Sequence, residues 1–163
     1  MNVIVDVQYA QEEIPEAEAD IPPPKAFENW VAAALSGRAE SGELTIRVVG
    51  TAEGTALNES FRHRSGPTNV LAFPMDKSPE SDLPLLGDLV ICAPLVLQEA
   101  REQQKAPLAH WAHLTVHGTL HLLGYDHDES GEAEIMEGLE AEILSGLGFP
   151  DPYAGEKEAL TAS

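Results

Sequence analysis

Val3, Val5 and Val7 alternate with Asn2, Ile4, Asp6 and Gln8, a period of two that predicts a strand over Asn2–Tyr9. Gln11 to Pro24 is acidic and proline-rich and predicts a connector. From there the period changes. Phe27, Trp30, Val31, Ala34 and Leu35 recur at helical spacing until Gly37, and Pro24 suits the first turn, where its missing N–H is not needed. The β-branched run Leu44–Val49 predicts a second strand. Thr51 is placed to cap a helix that carries Leu57 and Phe61 on its apolar face and ends near Arg62. Gly66 and Pro67 punctuate the chain before a short buried strand, Asn69–Phe73, broken by Pro74. Met75–Pro84 reads as a loop and Leu86–Cys92 as a fourth strand. Three helices follow: Pro94–Gln104, Pro107–Leu123 with Gly124 as its stop, and a last one capped by Ser130. In the last, Ile135, Leu139, Ile143 and Leu147 form an apolar stripe ended by Gly148.

This order predicts one α+β domain over residues 1–150, a four-stranded mixed sheet packed with about five helices, followed by a flexible tail at 151–163. The span between Phe73 and Leu86 permits either orientation of the fourth strand. Composition agrees: of 163 residues 43% are hydrophobic and 23% charged, which excludes fibrous and natively unfolded chains. The longest apolar run, Leu89–Leu97, spans nine residues and contains Pro94, against the roughly 20 needed for a membrane helix. The first residues lack the basic flank of a signal or transit peptide, so the expected compartment is the cytoplasm. The single cysteine, Cys92, lies in an apolar run and is expected as a buried small hydrophobe.

Charge changes the picture. The formal net of −19 should repel free nucleic acid at long range and suits an acidic face for basic partners. Against it stands a biased segment, because five of the six histidines fall between His110 and His127. His117 and His121, four residues apart, project from one helical face. Gly124 can turn the chain through a left-handed conformation and return His127 toward that face. Three imidazoles converging so fit a catalytic zinc, which keeps its fourth position open. The spacing is that of the metzincin proteases, H-E-x-x-H-x-x-G-x-x-H, but Gly118 stands where they carry the glutamate base. Peptide hydrolysis in their manner therefore lacks its proton acceptor. His110 and His113 continue the same face and are expected as packing or surface histidines; Asp126 either orients an imidazole or forms the turn.

These residues carry a resemblance. The string His117-Gly-Thr-Leu-His121-Leu-Leu-Gly-Tyr-Asp-His127, with Pro67-Thr-Asn-Val-Leu-Ala-Phe-Pro74 and Leu86-Gly-Asp-Leu-Val-Ile-Cys92, resembles the YbeY family of bacterial endoribonucleases, also described as ribosomal RNA maturation factors. The resemblance implies a zinc ion held by His117, His121 and His127, hydrolysis of single-stranded RNA, and work in ribosomal RNA maturation and ribosome quality control. It also implies a functional arginine ahead of the Pro-Thr-Asn-Val segment, a position matched by Arg62. The residue chemistry agrees: a cation can clamp the anionic oxygens of a phosphodiester, and guanidinium groups pair with phosphate through parallel donors. Expected partners are single-stranded RNA, ribosomal RNA and the ribosome or its basic proteins, without a membrane. Two alternatives stay open on the residues alone: a ribosome assembly factor with a structural metal, and a metal hydrolase of another ester or amide.

Overall fold

The computed structural model describes residues 2–10, 21–39, 41–62, 68–74, 85–125 and 130–153. Strands β1 (Asn2–Tyr9), β2 (Ser41–Val49), β3 (Val70–Pro74) and β4 (Leu85–Cys92) form one sheet in the order β1-β2-β4-β3. The first three in that order are parallel, and β3 runs antiparallel to β4. The sheet is therefore mixed, as expected, and the orientation left open by the sequence is fixed by this pairing. Five helices complete the described residues: α1 (Pro24–Leu35), α2 (Thr51–Arg62), α3 (Ala93–Glu102), α4 (Pro107–Leu122) and α5 (Ser130–Gly146). None is long and apolar enough to cross a membrane.

Strand alternation divides the core in two. Leu44, Ile46, Val48, Leu89 and Ile91 join the larger cluster with Phe27, Trp30 and Val31 of α1 and Trp111, Val116 and Leu120 of α4. Val49, Val90, Cys92 and Leu71 form a smaller one, against which Leu57 of α2 and Leu95 of α3 pack. Phe27 meets Trp111 edge-on with ring centroids 5.9 Å apart, which pins α1 to α4. Both rings are fully buried, and each such side chain contributes on the order of 1.5–3 kcal/mol from the area it removes from water. Cys92 is buried, as expected of a small hydrophobe.

Several boundaries differ from the sequence pattern for local reasons. β2 starts at Ser41 rather than Leu44, because Asn2, Val3 and Ile4 of β1 pair with Ser41, Gly42 and Glu43. β3 begins at Val70, although the carbonyl of Asn69 still accepts the N–H of Cys92 at 2.9 Å. α3 stops at Glu102, where Gln104 adopts φ 55° and the N–H of Lys105 returns to the carbonyl of Ala100 at 2.8 Å.

The largest correction concerns α5. Ile135 of the expected stripe is 61% exposed, and the buried positions are Met136, Glu140, Ile143 and Leu144. Leu139 and Leu147 are half-buried against the same core. Three of the four expected stripe positions thus face the core, Ile135 does not, and the buried face widens to take in Met136, Leu144 and an acid, Glu140. The start of the expected tail differs as well: Lys105 Nζ donates to the carbonyl of Pro152 at 3.0 Å and the Tyr153 hydroxyl donates to Glu140 at 2.7 Å, so Asp151–Tyr153 are docked rather than frayed. The expected loop at 75–84 and the remaining tail lie outside the described residues.

Candidate metal centre

α4 is buried on nearly every side, with α1 and the sheet on one flank and α3 and α5 on others. Its polar groups must therefore find partners inside the protein. Thr115 and Thr119 do so along the helix itself, donating to the carbonyls of Trp111 and Thr115 at 2.9 and 2.8 Å. The histidines do so through a column of rings. Centroids of His110 and His113 lie 6.1 Å apart, those of His113 and His117 6.2 Å, and those of His117 and His121 4.7 Å. The expected shared face of His117 and His121 is present, and it extends inward to the two earlier histidines.

Two carboxylates serve this column. Glu140 of α5 is completely buried and its Oε1 lies 2.6 Å from His117 Nδ1 and 3.2 Å from His113 Nε2, while Tyr153 donates to Oε2 at 2.7 Å. Burial alone would raise the Glu140 pKa, but the hydrogen bonds from His113 and His117 outweigh it and hold the carboxyl at about 2. The group stays ionised and acts as an acceptor only. Desolvation in turn pushes the His113 imidazole below its ordinary value, so that ring stays neutral more readily than a solvated one.

Glu99 of α3 serves the other end, 2.9 Å from His110 Nε2. It also accepts the Asn69 amide at 3.1 Å, and the Asn69 Oδ1 accepts the N–H of Val70 at 2.7 Å. Burial works to raise the Glu99 pKa, yet its bonds from His110 and Asn69 leave it below the usual carboxylate range. His110 and His113, expected as packing or surface residues, are instead parts of this hydrogen-bonded core.

The turn after α4 follows the sequence expectation. Gly124 has φ +103°, and the N–H of Tyr125 closes on the carbonyl of Leu120 at 3.1 Å, the six-residue bond of a glycine-terminated helix. Gly118 faces the sheet, since a Cβ built there would lie 2.7 Å from Leu89 Cδ2. A glutamate at that position would have to displace a fully buried leucine, so the metzincin base has no room here. His127 and Asp126 lie outside the described residues. Arg62 is the last residue of α2, and its side chain too is outside what the structure describes.

Sequence reasoning missed Glu140, Tyr153 and Glu99. Glu140 had a usable signal: Met136, Glu140, Ile143 and Leu144 share a face at three- and four-residue spacing, with one acid among apolar residues. Glu99 and Tyr153 had none, because their partners are distant in the chain. Ligand atoms of His113, His117 and Glu140 all lie within 4.8 Å of one another, a group with the composition and the closeness to hold a metal ion.

Comparison with known proteins bears on this arrangement. The chain is similar in fold to the solution structure of TM1509 from Thermotoga maritima, with a TM-score of 0.50 and 20% identity, covering 88% of this chain and 91% of that one. A family model described as Endoribonuclease YbeY matches residues 9–148, which takes in both carboxylates, the whole histidine column and most of the sheet. The chain belongs to the YbeY family of endoribonucleases and is by that membership a hydrolase that acts on RNA.

Proposed function

We propose that the protein is a zinc-dependent endoribonuclease of single-stranded RNA, acting in ribosomal RNA maturation and ribosome quality control in the cytoplasm. His117, His121 and His127 are its metal ligands and Arg62 its phosphate clamp. The observation that carries the reading is the His117–His121 pair on one helical face, followed directly by the Gly124 turn. The donor set suits the ion: imidazoles are ordinary zinc ligands, and a buried carboxylate behind one of them is a common companion of such sites. When bound, zinc supplies Lewis acidity, bringing the pKa of water toward about 7 and offsetting phosphate charge.

The rest is done by the chain. Glu140 fixes the His117 ring at Nδ1. The base that metzincins carry is excluded at Gly118 by Leu89, so proton transfer does not use that position. Arg62, at the end of α2, offers paired donors to a phosphodiester in a chain of net charge −19. That charge also favours delivery by a basic ribosomal protein, since naked RNA approaches against the field. The same charge motivates a second reading, an assembly factor with a structural metal. Cleavage of single-stranded RNA by wild-type and His117→Ala protein, with zinc content measured on the same samples, decides between them. Catalysis predicts loss of both in the variant; equal cleavage by the two would exclude the nuclease site.

A further inference from the structure

We infer that Glu140 is the positioning residue of this metal centre: by claiming Nδ1 of His117 and Nε2 of His113, it makes the first a ligand and keeps the second out of the ligand set. The inference rests on the three-histidine reading above and adds to it a reason why only part of the column binds metal.

The competing possibility is that His113, His117 and Glu140 hold the ion themselves. Distances argue against it. Two donors on a tetrahedral zinc, each about 2.0–2.1 Å from the ion, stand about 3.3 Å apart. Glu140 Oε1 is 2.6 Å from His117 Nδ1, too close for two ligands of one ion and right for a charge-assisted N–H···O bond. The second carboxylate oxygen takes the Tyr153 hydroxyl at 2.7 Å. An ion entering here would have to expel three donors from a side chain that has no contact with solvent.

Tautomers follow from the same geometry. An ionised carboxylate cannot donate, so the ring nitrogens facing it must carry the protons. A neutral imidazole carries one. His117 is therefore the Nδ1–H form, with its lone pair on Nε2. His113 is the Nε2–H form, because its Nε2 faces Glu140 Oε1 at 3.2 Å and lies 3.3 Å from the Tyr153 hydroxyl oxygen, whose own proton is engaged in the bond to Glu140 and which can only accept; the His113 lone pair sits on Nδ1, which is buried with no partner among the described residues. Glu140, with the Tyr153 hydroxyl it holds, thus gives neighbouring histidines on the same helix opposite tautomers. Tyr153 lies beyond the matched residues 9–148 and comes from the docked segment anchored by Lys105, so the end of the described chain takes part in aiming the ring.

The test uses the full chain, first freed of metal and then titrated with Zn2+ against a chromophoric chelator. Nitrogen-15 spectra of the histidine rings in the metal-free wild type, taken above the ordinary histidine range, should show His117 protonated on Nδ1 and His113 on Nε2. A His117 ring protonated on Nε2 would overturn the inference without any variant. Glu140→Gln should lower zinc affinity by about 10- to 100-fold and mix the His117 tautomers. Tyr153→Phe should do the same more weakly, and it serves if the buried substitution does not fold. His113→Ala should bind zinc within a few-fold of wild type, while His121→Ala should lose it. Wild-type affinity and tautomers in both Glu140→Gln and Tyr153→Phe would refute the positioning role and leave the triad standing. Zinc lost in His113→Ala and kept in His121→Ala would refute the triad itself and make Glu140 a ligand.

Discussion

The two ends of the α4 histidine column use the same residue types to opposite effect. At the inner end Glu99 engages His110 at Nε2, the tip of the ring, and the Nδ1 left over is buried without a partner among the described residues. At the outer end Glu140 engages His117 at Nδ1, beside the backbone, so the lone pair falls to the tip. A ring held by its tip is a strut, whereas a ring held by its base can present a donor. Residue type and helical spacing are therefore insufficient to identify a ligand. The nitrogen that a neighbouring carboxylate takes decides the matter, and that neighbour comes from another helix.

The most direct way to break this contrast is to remove one ring from each end. His121→Ala should lower RNA cleavage by more than about 10²-fold, since even groups behind the ligands are worth 10- to 100-fold, while unfolding free energy changes little. His110→Ala should do the reverse. It leaves a cavity and an underpaired Glu99, for a loss of about 2–3 kcal/mol in stability and a melting temperature lower by several degrees, with activity per folded molecule kept. Denaturant unfolding beside single-turnover cleavage measures both quantities. Comparable loss of zinc in the two variants would erase the distinction between strut and ligand.

Most of the fold was legible because its elements obey one local rule each. β1 announces itself by alternation, β2 by its β-branched run, α1 by Pro24 and its apolar face, and α4 by Pro107 and Gly124. The orientation of β3 was not legible, because it depends on pairing with β4 across a long connection. At the site, the His117–His121 spacing and the turning glycine could be read directly, since both are consequences of one helix and its end. Glu140 was hidden for a physical reason. A chain with 28 acidic residues offers many glutamates on solvated faces, and only the neighbouring Met136 and Ile143 separate this one from the rest. Sequence periodicity ranks positions by apolarity, so it has no way to favour a charge whose burial is compensated by partners 23 and 13 residues away in the chain.

A smaller effect is expected where the inner end meets β3. Asn69 bridges Glu99 and the N–H of Val70, so Asn69→Ala removes its amide's bonds to the Glu99 carboxylate and the bond from Val70 at a part-buried junction. A net loss of about 1–2 kcal/mol in stability should follow, with zinc affinity unchanged because the outer end is untouched. A loss of zinc binding in Asn69→Ala would show that the two ends are coupled through the column.

The smallest effect separates the ends by pH. In metal-free protein three groups of the column have depressed folded-state values, so each contributes stability at higher pH that is lost as acid is added. His113 is one, kept neutral by burial, and its contribution begins to fall as pH drops below the ordinary 6.5. Glu99 and Glu140 begin lower, near the ordinary 4.5, and Glu140 continues to lose its contribution down to about 2. Glu99→Gln should therefore flatten only the upper part of the carboxylate window. Its side chain is 26% exposed, and solvent screening limits the change to less than about 1 kcal/mol. Glu53, which the Arg47 guanidinium also holds below the usual carboxylate range, contributes alike in both proteins, so urea unfolding of wild type and Glu99→Gln at matched pH values isolates the Glu99 share, and the slope that survives toward pH 2 includes that of Glu140. If Glu99→Gln abolished the slope down to pH 2, the inner carboxylate would be the stronger acid, and the deeper electrostatic compensation assigned to the outer end would be wrong.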